Sequence, residues 1–464
     1  MSRFLDPPKP KDPIAPEKVD KEYKSMRIKV FLGAFLGYAG YYLVRKNLSL
    51  AAPDMIQDGI LDAGKVGLAM SGVSIAYAFS KFIMGSVSDR SDARKFLCLG
   101  LVLSALMMIG VGVMPFGSNI ALNTTIIFVL MLVVGWLSGM GWPPCGRIMA
   151  HWFSQNERSF KMSVWNVSHT IGSFSLGFLG IAGVALYADL GLAQTWRGNF
   201  VFPAIVAIVI AVFCWWAMRD TPESCGLPSV QDWRKDYSGV KSSGKTGEKL
   251  PFKVLFVDYV LKNKLLWVVA ISNVAVYMVR YGIGDWAPSY LQAKGIMSAA
   301  ESKVAFSVHN IVGAVGTLAC GWMTSKIFKG RCAPMNVICM LLCAIGVLLY
   351  WAVGAGYIAA DASASTQKVL IYVALCLIGF FIYGPVALTG VQALNLVPKN
   401  AAGTAAGFVG LFGYLLGDAV CSKLVVGGIV NSASWDAGML SVAVGSIVGV
   451  VLCALLIPSE KKLA

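Results

Sequence analysis

The chain predicts an all-α membrane protein of about twelve transmembrane helices, arranged as two pseudo-symmetric six-helix halves. Three observations predict it. First, 57% of the 464 residues are hydrophobic and only 14% are charged, too little charge for the surface of a soluble domain. Second, apolar runs of roughly 20 residues recur along the chain, centred near residues 40, 75, 105, 135, 172, 207, 275, 315, 344, 378, 415 and 446. Third, the chain repeats itself. Tyr42-Leu43-Val44-Arg45 returns 235 residues later as Tyr277-Met278-Val279-Arg280, and Arg27 and Lys29 stand at the same offsets before Arg45 as Lys262 and Lys264 before Arg280. The division that follows is a tail (1–28), a first half (29–217), a linker (218–264), a second half (265–457) and a tail (458–464).

The net charge of +15 gathers in alternate loops: residues 1–29, Arg90 to Lys95, Arg158 to Lys161, 218–264, Lys326 to Arg331 and Lys461-Lys462. That is the positive-inside pattern, so both termini and the linker are expected on the cytoplasmic side, and nucleic acid is not an expected partner. Residues 1–20 have no apolar core, and no cleavable signal is expected. Eleven cysteines, an odd number with no CxxC spacing and mostly in apolar runs, predict neither a disulfide framework nor a metal site.

In the first helix Arg45 lies about 25 Å from the membrane face at which the helix begins, and Arg280 lies as deep in the seventh. A charge at that depth costs a few kcal/mol and normally faces a polar cavity, so two at equal depth in two repeats predict one shared site. The alternative is that each snorkels or pairs with a carboxylate, but few acidic residues lie in the apolar runs. The second helix places Tyr77 and Lys81 on one face at i, i+4. The fourth carries Gly139-Met140-Gly141-Trp142-Pro143-Pro144, where two prolines require neighbouring groups to satisfy freed carbonyls. In the fifth, Asn166, His169 and Ser173 form a polar stripe. Residues 218–264 are polar and proline-containing, a linker. Asn273, Tyr277, Arg280 and Gly284 share a face of the seventh helix, and Tyr383-Gly384-Pro385 in the tenth mirrors the fourth. In the eleventh, Gly403, Gly407, Gly410, Gly413 and Gly417 form a stripe that predicts close helix approach. No nucleotide-binding loop or metal-ligand spacing is present, so neither a cofactor nor an enzyme is expected.

The segment Gly85-Ser86-Val87-Ser88-Asp89-Arg90-Ser91-Asp92-Ala93-Arg94-Lys95 resembles the G-x-x-x-D-R-x-x-R-[KR] signature of the major facilitator superfamily, and Gly321 to Arg331 repeats it with Ser325 in place of the aspartate. Together with residues 37–47, 81–91, 139–147, 220–228 and 398–408, it resembles the organophosphate:phosphate antiporter family of that superfamily over nearly the whole chain. The resemblance implies a monomeric inner-membrane antiporter that exchanges a phosphate ester for inorganic phosphate, glycerol-3-phosphate ahead of a hexose phosphate, with no obligatory protein partner. It implies that Arg45 and Arg280 grip the phosphoryl group and that Lys46, Lys81 and His169 add positive potential. Tyr38, Tyr42, Tyr77, Asn166, Tyr277, Tyr383 and Tyr414 fall where the family lines its pore, and Asp89, Arg90 and Arg94 where a charge network closes the cytoplasmic side. Ser138, Asn310 and Asp418 depart from the expected pattern and are candidate specificity positions; the Asp418 carboxylate is expected to read hydroxyls. The chemistry agrees, since guanidinium forks match the oxygens of a phosphate monoester bidentately. A reading of a different class is a membrane sensor of organophosphate with the same fold.

Overall fold

The computed structural model describes residues 3–88, 90–235, 254–397 and 402–463, and every regular element among them is helical. Twelve helical paths result. The first half comprises α1 (Pro16–Leu43) with α2 (Asn47–Gln57), α3 (Ala63–Ser88), α4 (Ala93–Val113), α5 (Ile120–Ser138) with α6 (Trp142–Trp152), α7 (Gln155–Asn166) with α8 (Ser168–Asp189), and α9 (Gly198–Ala217). A short α10 (Val230–Arg234) follows. The second half comprises α11 (Lys264–Ala293), α12 (Ala299–Lys326), α13 (Cys332–Gly354), α14 (Ala364–Asn395), then α15 (Ala402–Phe412) continued by a π-helical stretch (Gly413–Val425) into α16 (Val426–Ser432), and α17 (Trp435–Ala454) with α18 (Ile457–Leu463). Among the described residues, ten of these paths are long and apolar enough to cross a membrane. The α1–α2 path carries Arg45 and Lys46 where it is interrupted, and α3 carries Lys65 and Lys81. Outer faces expose Val209, Val212, Leu318, Val369 and Val444, as a lipid-facing surface requires.

Several helices expected to be continuous are broken where polar side chains enter the core. α1 ends at Leu43 and α2 begins at Asn47, so Arg45 and Lys46 sit in the break. The freed carbonyl of Lys46 accepts from the Ser49 hydroxyl at 2.6 Å, and Asn47 anchors the restart by donating to the Asn199 carbonyl at 2.8 Å. Its repeat is asymmetric: α11 runs unbroken through Arg280. Trp142 and the two prolines after it open α6, where a missing N–H costs nothing, so no kinked continuous helix is needed. α1 starts at Pro16, upstream of the boundary at residue 28, and the linker's first stretch packs on the first half. There Trp233 stacks on Tyr23 with ring centroids 4.1 Å apart, and Arg234 reaches Glu157 at 3.1 Å.

Each half is clasped by a carboxylate that follows its last long helix. Asp220 accepts from the first-turn N–H of Ala93 at 2.9 Å and from Arg147 through two bonds of 3.0 Å. Glu460 accepts from the Ala333 N–H at 2.8 Å and from Gln392 at 2.8 Å. Both acid and helix start recur 240 residues apart, as a duplicated chain demands.

The end of the molecule bearing the loops around Arg90–Lys95 and Lys326–Arg331 is called the basic end. The halves meet at the other end, where α2 packs on α11, α8 on α12, and α3 on the π-helical stretch and α16. Glycines make that contact possible: a Cβ on Gly67 would overlap the Lys423 carbonyl oxygen, and one on Gly177 the Ser307 hydroxyl. Of the stripe on the eleventh path, Gly413 and Gly417 face Asn273, Val274 and Tyr277 on α11 with no room for a side chain. Gly410 meets nothing within 4 Å.

Candidate functional site

A cavity of about 330 Å³ lies between the halves on the basic-end side of their contact. The first half lines it with Tyr38 and Tyr42 from α1, Tyr77 and Lys81 from α3, Trp142 from α6, Asn166 at the end of α7 and His169 at the start of α8. The second half contributes Tyr277 and Arg280 from α11, Thr317 from α12, Tyr383, Val386 and Ala387 from α14, and Tyr414 from the π-helical stretch. Ten of the twelve residues expected at the site line this one cavity. Lys81 is exposed, on the side where the cavity opens.

Each arginine is set among aromatic rings. The Arg45 guanidinium lies 3.8 Å from the Tyr77 ring centroid and 5.7 Å from that of Tyr414. Arg280 lies 4.8 Å from Tyr383, 5.0 Å from Tyr281 and 5.8 Å from Tyr277. Tyr414 links the two sets, edge-on to Tyr77 at 4.8 Å and to Tyr277 at 4.9 Å. Both arginines are buried, 8% and 5% exposed, and among the described residues neither has a carboxylate within 4.0 Å. The Arg280 Nε is buried without a hydrogen-bond partner. Three rings around each arginine return roughly 0.5–2 kcal/mol apiece, so they offset much of the several kcal/mol lost when a cation leaves water. Two guanidinium groups without a carboxylate partner among the described residues can offer charge-assisted hydrogen bonds to an anion.

Beyond the arginines, away from the basic end, a ring of charges closes the space between the halves. Lys46 Nζ lies 2.8 Å from Asp285 Oδ1, and Lys423 Nζ lies 3.5 Å from Asp285 Oδ2 and 2.6 Å from Asp418 Oδ1. Ser74 of the first half donates to Asp418 Oδ2 at 2.5 Å and accepts from Lys423 at 2.7 Å. Two lysines thus face two aspartates, all at most 9% exposed, with Lys46 and Ser74 on one half and the rest on the other. Nearby, Ser307 of α12 donates to the Phe174 carbonyl of α8 at 2.8 Å.

The structure places the remaining expected residues as follows. Arg45 does not line the cavity wall: it lies behind Tyr77 and Tyr414, bordering the smaller space at the charge ring. Lys46 and Asp418 belong to the charge ring and not to the cavity wall, so the expected reading of hydroxyls by Asp418 meets a carboxylate with both oxygens already engaged. Ser138 is buried with its hydroxyl on the Val134 carbonyl at 2.7 Å, off the cavity. Asn310 accepts the Tyr383 hydroxyl at 2.9 Å, so it acts on the site through that ring. Arg90 is exposed, Arg94 stacks on Trp215 at 4.9 Å and lies 3.9 Å from Asp92, and Asp89 lies outside the described residues. Sequence reading missed Ser74, Tyr281, Asp285, Lys423, His309 and Thr317. The charges could have been found by balance, since Asp285, Asp418 and Lys423 are ionisable residues in apolar runs just as Lys46 is.

The family model of the Major Facilitator Superfamily matches residues 31–422. The chain belongs to the Major Facilitator Superfamily. Within the superfamily it is 46% identical over 440 residues to the glycerol-3-phosphate transporter of Bacillus subtilis (strain 168), covering 94% of each chain. It is 33% identical over 398 residues to the membrane sensor protein UhpC of Escherichia coli (strain K12), covering 86% of this chain and 85% of that one. Among solved structures, a bacterial homolog of the human lysosomal transporter Spinster superposes with a TM-score of 0.68 at 16% identity, over 93% of this chain and 95% of that one. That likeness carries the superfamily fold and nothing finer.

Proposed function

We propose that the chain is a secondary active transporter that exchanges a phosphate monoester, glycerol-3-phosphate first, for inorganic phosphate across the bacterial inner membrane by alternating access. One observation carries this reading: a buried arginine from each half, neither paired with a carboxylate among the described residues, with Arg280 lining the tyrosine-walled cavity between the halves and Arg45 set directly behind it on the rings of Tyr77 and Tyr414, which line the same cavity. Empty, the two cations oppose closure around the site. A phosphate bridging them reverses the sign. Hydrogen bonds to charged groups contribute roughly 1.5–3 kcal/mol each, so two forks supply on the order of the 5.5 kcal/mol that carries a two-state equilibrium from 1:99 to 99:1. Closure that needs an anion in either direction yields exchange and suppresses leak.

Lys81, His169, Asn166, Tyr38, Tyr42, Tyr77, Tyr277, Tyr383 and Tyr414 complete the binding wall in this reading, and Lys46 supports it from the charge ring. Asp89, Arg90 and Arg94 close the basic end in the opposite phase of the cycle. The basic end is cytoplasmic by the positive-inside rule, so both termini are cytoplasmic and the cavity opens inward in this conformation. One chain supplies both halves of the site, which supports a monomer without an obligatory partner. Engagement of both Asp418 oxygens and the likeness to a glycerol-3-phosphate transporter favour that ester over a hexose phosphate.

Proteoliposomes loaded with inorganic phosphate should take up labelled glycerol-3-phosphate, and unloaded ones should not. Tight binding without flux would overturn the transport reading in favour of a membrane sensor, a second reading supported by the likeness to UhpC.

A further inference from the structure

We propose that His309 is a further specificity-determining residue, a neutral imidazole whose Nε2 accepts a hydrogen bond from a hydroxyl on the organic part of the phosphate ester. The inference rests on the binding of a phosphate ester proposed above.

His309 lies on α12, 2% exposed, with Nδ1 3.2 Å from the Leu375 carbonyl oxygen. A carbonyl can only accept, so Nδ1 carries the hydrogen, and in the neutral ring that this buried position beside Lys46 favours Nε2 presents a lone pair. That Nε2 is fully buried and has no hydrogen-bond partner. Buried acceptors are rarely left so, and an orphan beside a binding site marks a place where a ligand donor completes the structure.

Its position fits a ligand tail. The His309 ring stands 6.3 Å from Tyr383, the ring that lies against Arg280, and the next residue, Asn310, holds the Tyr383 hydroxyl. On α11, Gly284 follows Arg280 by about one helical turn of 5.4 Å. A Cβ placed on Gly284 would lie 4.0 Å from His309 Nε2 and 3.9 Å from Lys46 Nζ, so the absence of a side chain leaves about a methyl group's room between an acceptor and a cation. An ester whose phosphate sits on Arg280 carries its hydroxyls about that far. The proposal requires the tail to enter the space over Gly284 beside Tyr383.

The chemistry of the neighbours favours this nitrogen as the acceptor beyond Arg280, with His169, whose Nδ1 also lies on a carbonyl, that of Asn166, on the cavity wall of the other half. Arginine, lysine and tyrosine donors surround the site, whereas a polyol hydroxyl also has a hydrogen to place. Asp285 gives one oxygen to Lys46 and the other to Lys423, and Asn310 Oδ1 is taken by Tyr383. Inorganic phosphate has no tail and does not reach His309, so this residue separates ester from phosphate.

Equilibrium binding to purified full-length protein tests it, with glycerol-3-phosphate, n-propyl phosphate and inorganic phosphate as probes. The native protein should prefer the glycerol ester to the propyl ester. H309F, which keeps a ring and loses the acceptor, should lower the ratio of glycerol-ester to phosphate affinity about tenfold and abolish the preference over the propyl ester. H309Q, which restores an acceptor, should recover most of the ratio. Retained phosphate binding in H309F reports a folded site; a variant that does not fold leaves the decision to the native protein's choice between the two esters. An unchanged ratio in H309F, or a native protein that does not distinguish the esters, overturns the inference. Binding of the ester without exchange removes the transport reading and leaves this comparison standing, whereas binding of neither ester nor phosphate removes both.

Discussion

At the scale of single residues, charge and shape are separable demands on Arg45 and Arg280. A lysine keeps the charge but offers no planar fork, and it cannot stack on Tyr77 or Tyr383 as a guanidinium does. R45K and R280K should each reduce phosphate exchange by about 10- to 100-fold, the equivalent of one or two charge-assisted hydrogen bonds. Exchange near the native rate in either variant, measured with labelled phosphate in proteoliposomes, would remove the two-arginine grip. These two positions were legible because a guanidinium in an apolar run has few structural excuses. His309 and Tyr281 were not, because a histidine or tyrosine in a helix core is ordinarily packing, and only the orphaned Nε2 and the cations around the Tyr281 ring distinguish them. Asp418 misled in the opposite direction: the sequence displays a carboxylate and conceals Ser74 and Lys423, which occupy it from 344 residues upstream and 5 downstream.

At the scale of elements, hydropathy located the twelve paths but not the breaks within them. The interruption at Val44–Lys46, the new start at Trp142 and the interruption at Val167 lie inside apolar runs, and an averaged window passes over each. The π-helical stretch Gly413–Val425 was equally hidden; it carries Tyr414 to the cavity and Asp418 and Lys423 to the charge ring, and such stretches gather at functional positions. The glycine stripe was visible, yet glycines that let the halves meet in this conformation lie on other helices. Gly67 of α3 lets two backbones touch across the halves. G67L should prevent closure at this end, leaving the protein open there and cutting exchange at least tenfold, since overpacking against backbone costs about 1–3 kcal/mol or more. The check is alkylation of M70C, buried beside the charge ring, by a thiol reagent added from the side opposite the basic end, read peptide by peptide by mass spectrometry. Reagent should reach M70C readily only with G67L present, and equal labelling in both backgrounds would sink the argument.

At the scale of the whole molecule, the duplication read from Tyr-x-x-Arg extends to the carboxylate clasps, in which Asp220 meets Ala93 and Glu460 meets Ala333. The register was legible; its asymmetries were not. The first clasp uses an arginine and the second a glutamine, and the first arginine helix breaks while its counterpart does not. Because each clasp lies within one half, residues 1–235 and 254–464 expressed as two polypeptides should assemble and exchange phosphate at no less than about a tenth of the native rate, since only the effective concentration supplied by the linker is lost. Failure of the pair to co-purify would show that the halves depend on the covalent connection. The clasps also impose an order in time. Asp220 and Glu460 each leave the ribosome after the long helices they join, so each clasp closes only when its half has been made in full. The first half can finish folding while the second is still being translated, and a truncated chain that ends before its carboxylate is left with the first-turn N–H of Ala93 or Ala333 without that acceptor, a loosened junction for quality-control proteases to recognise.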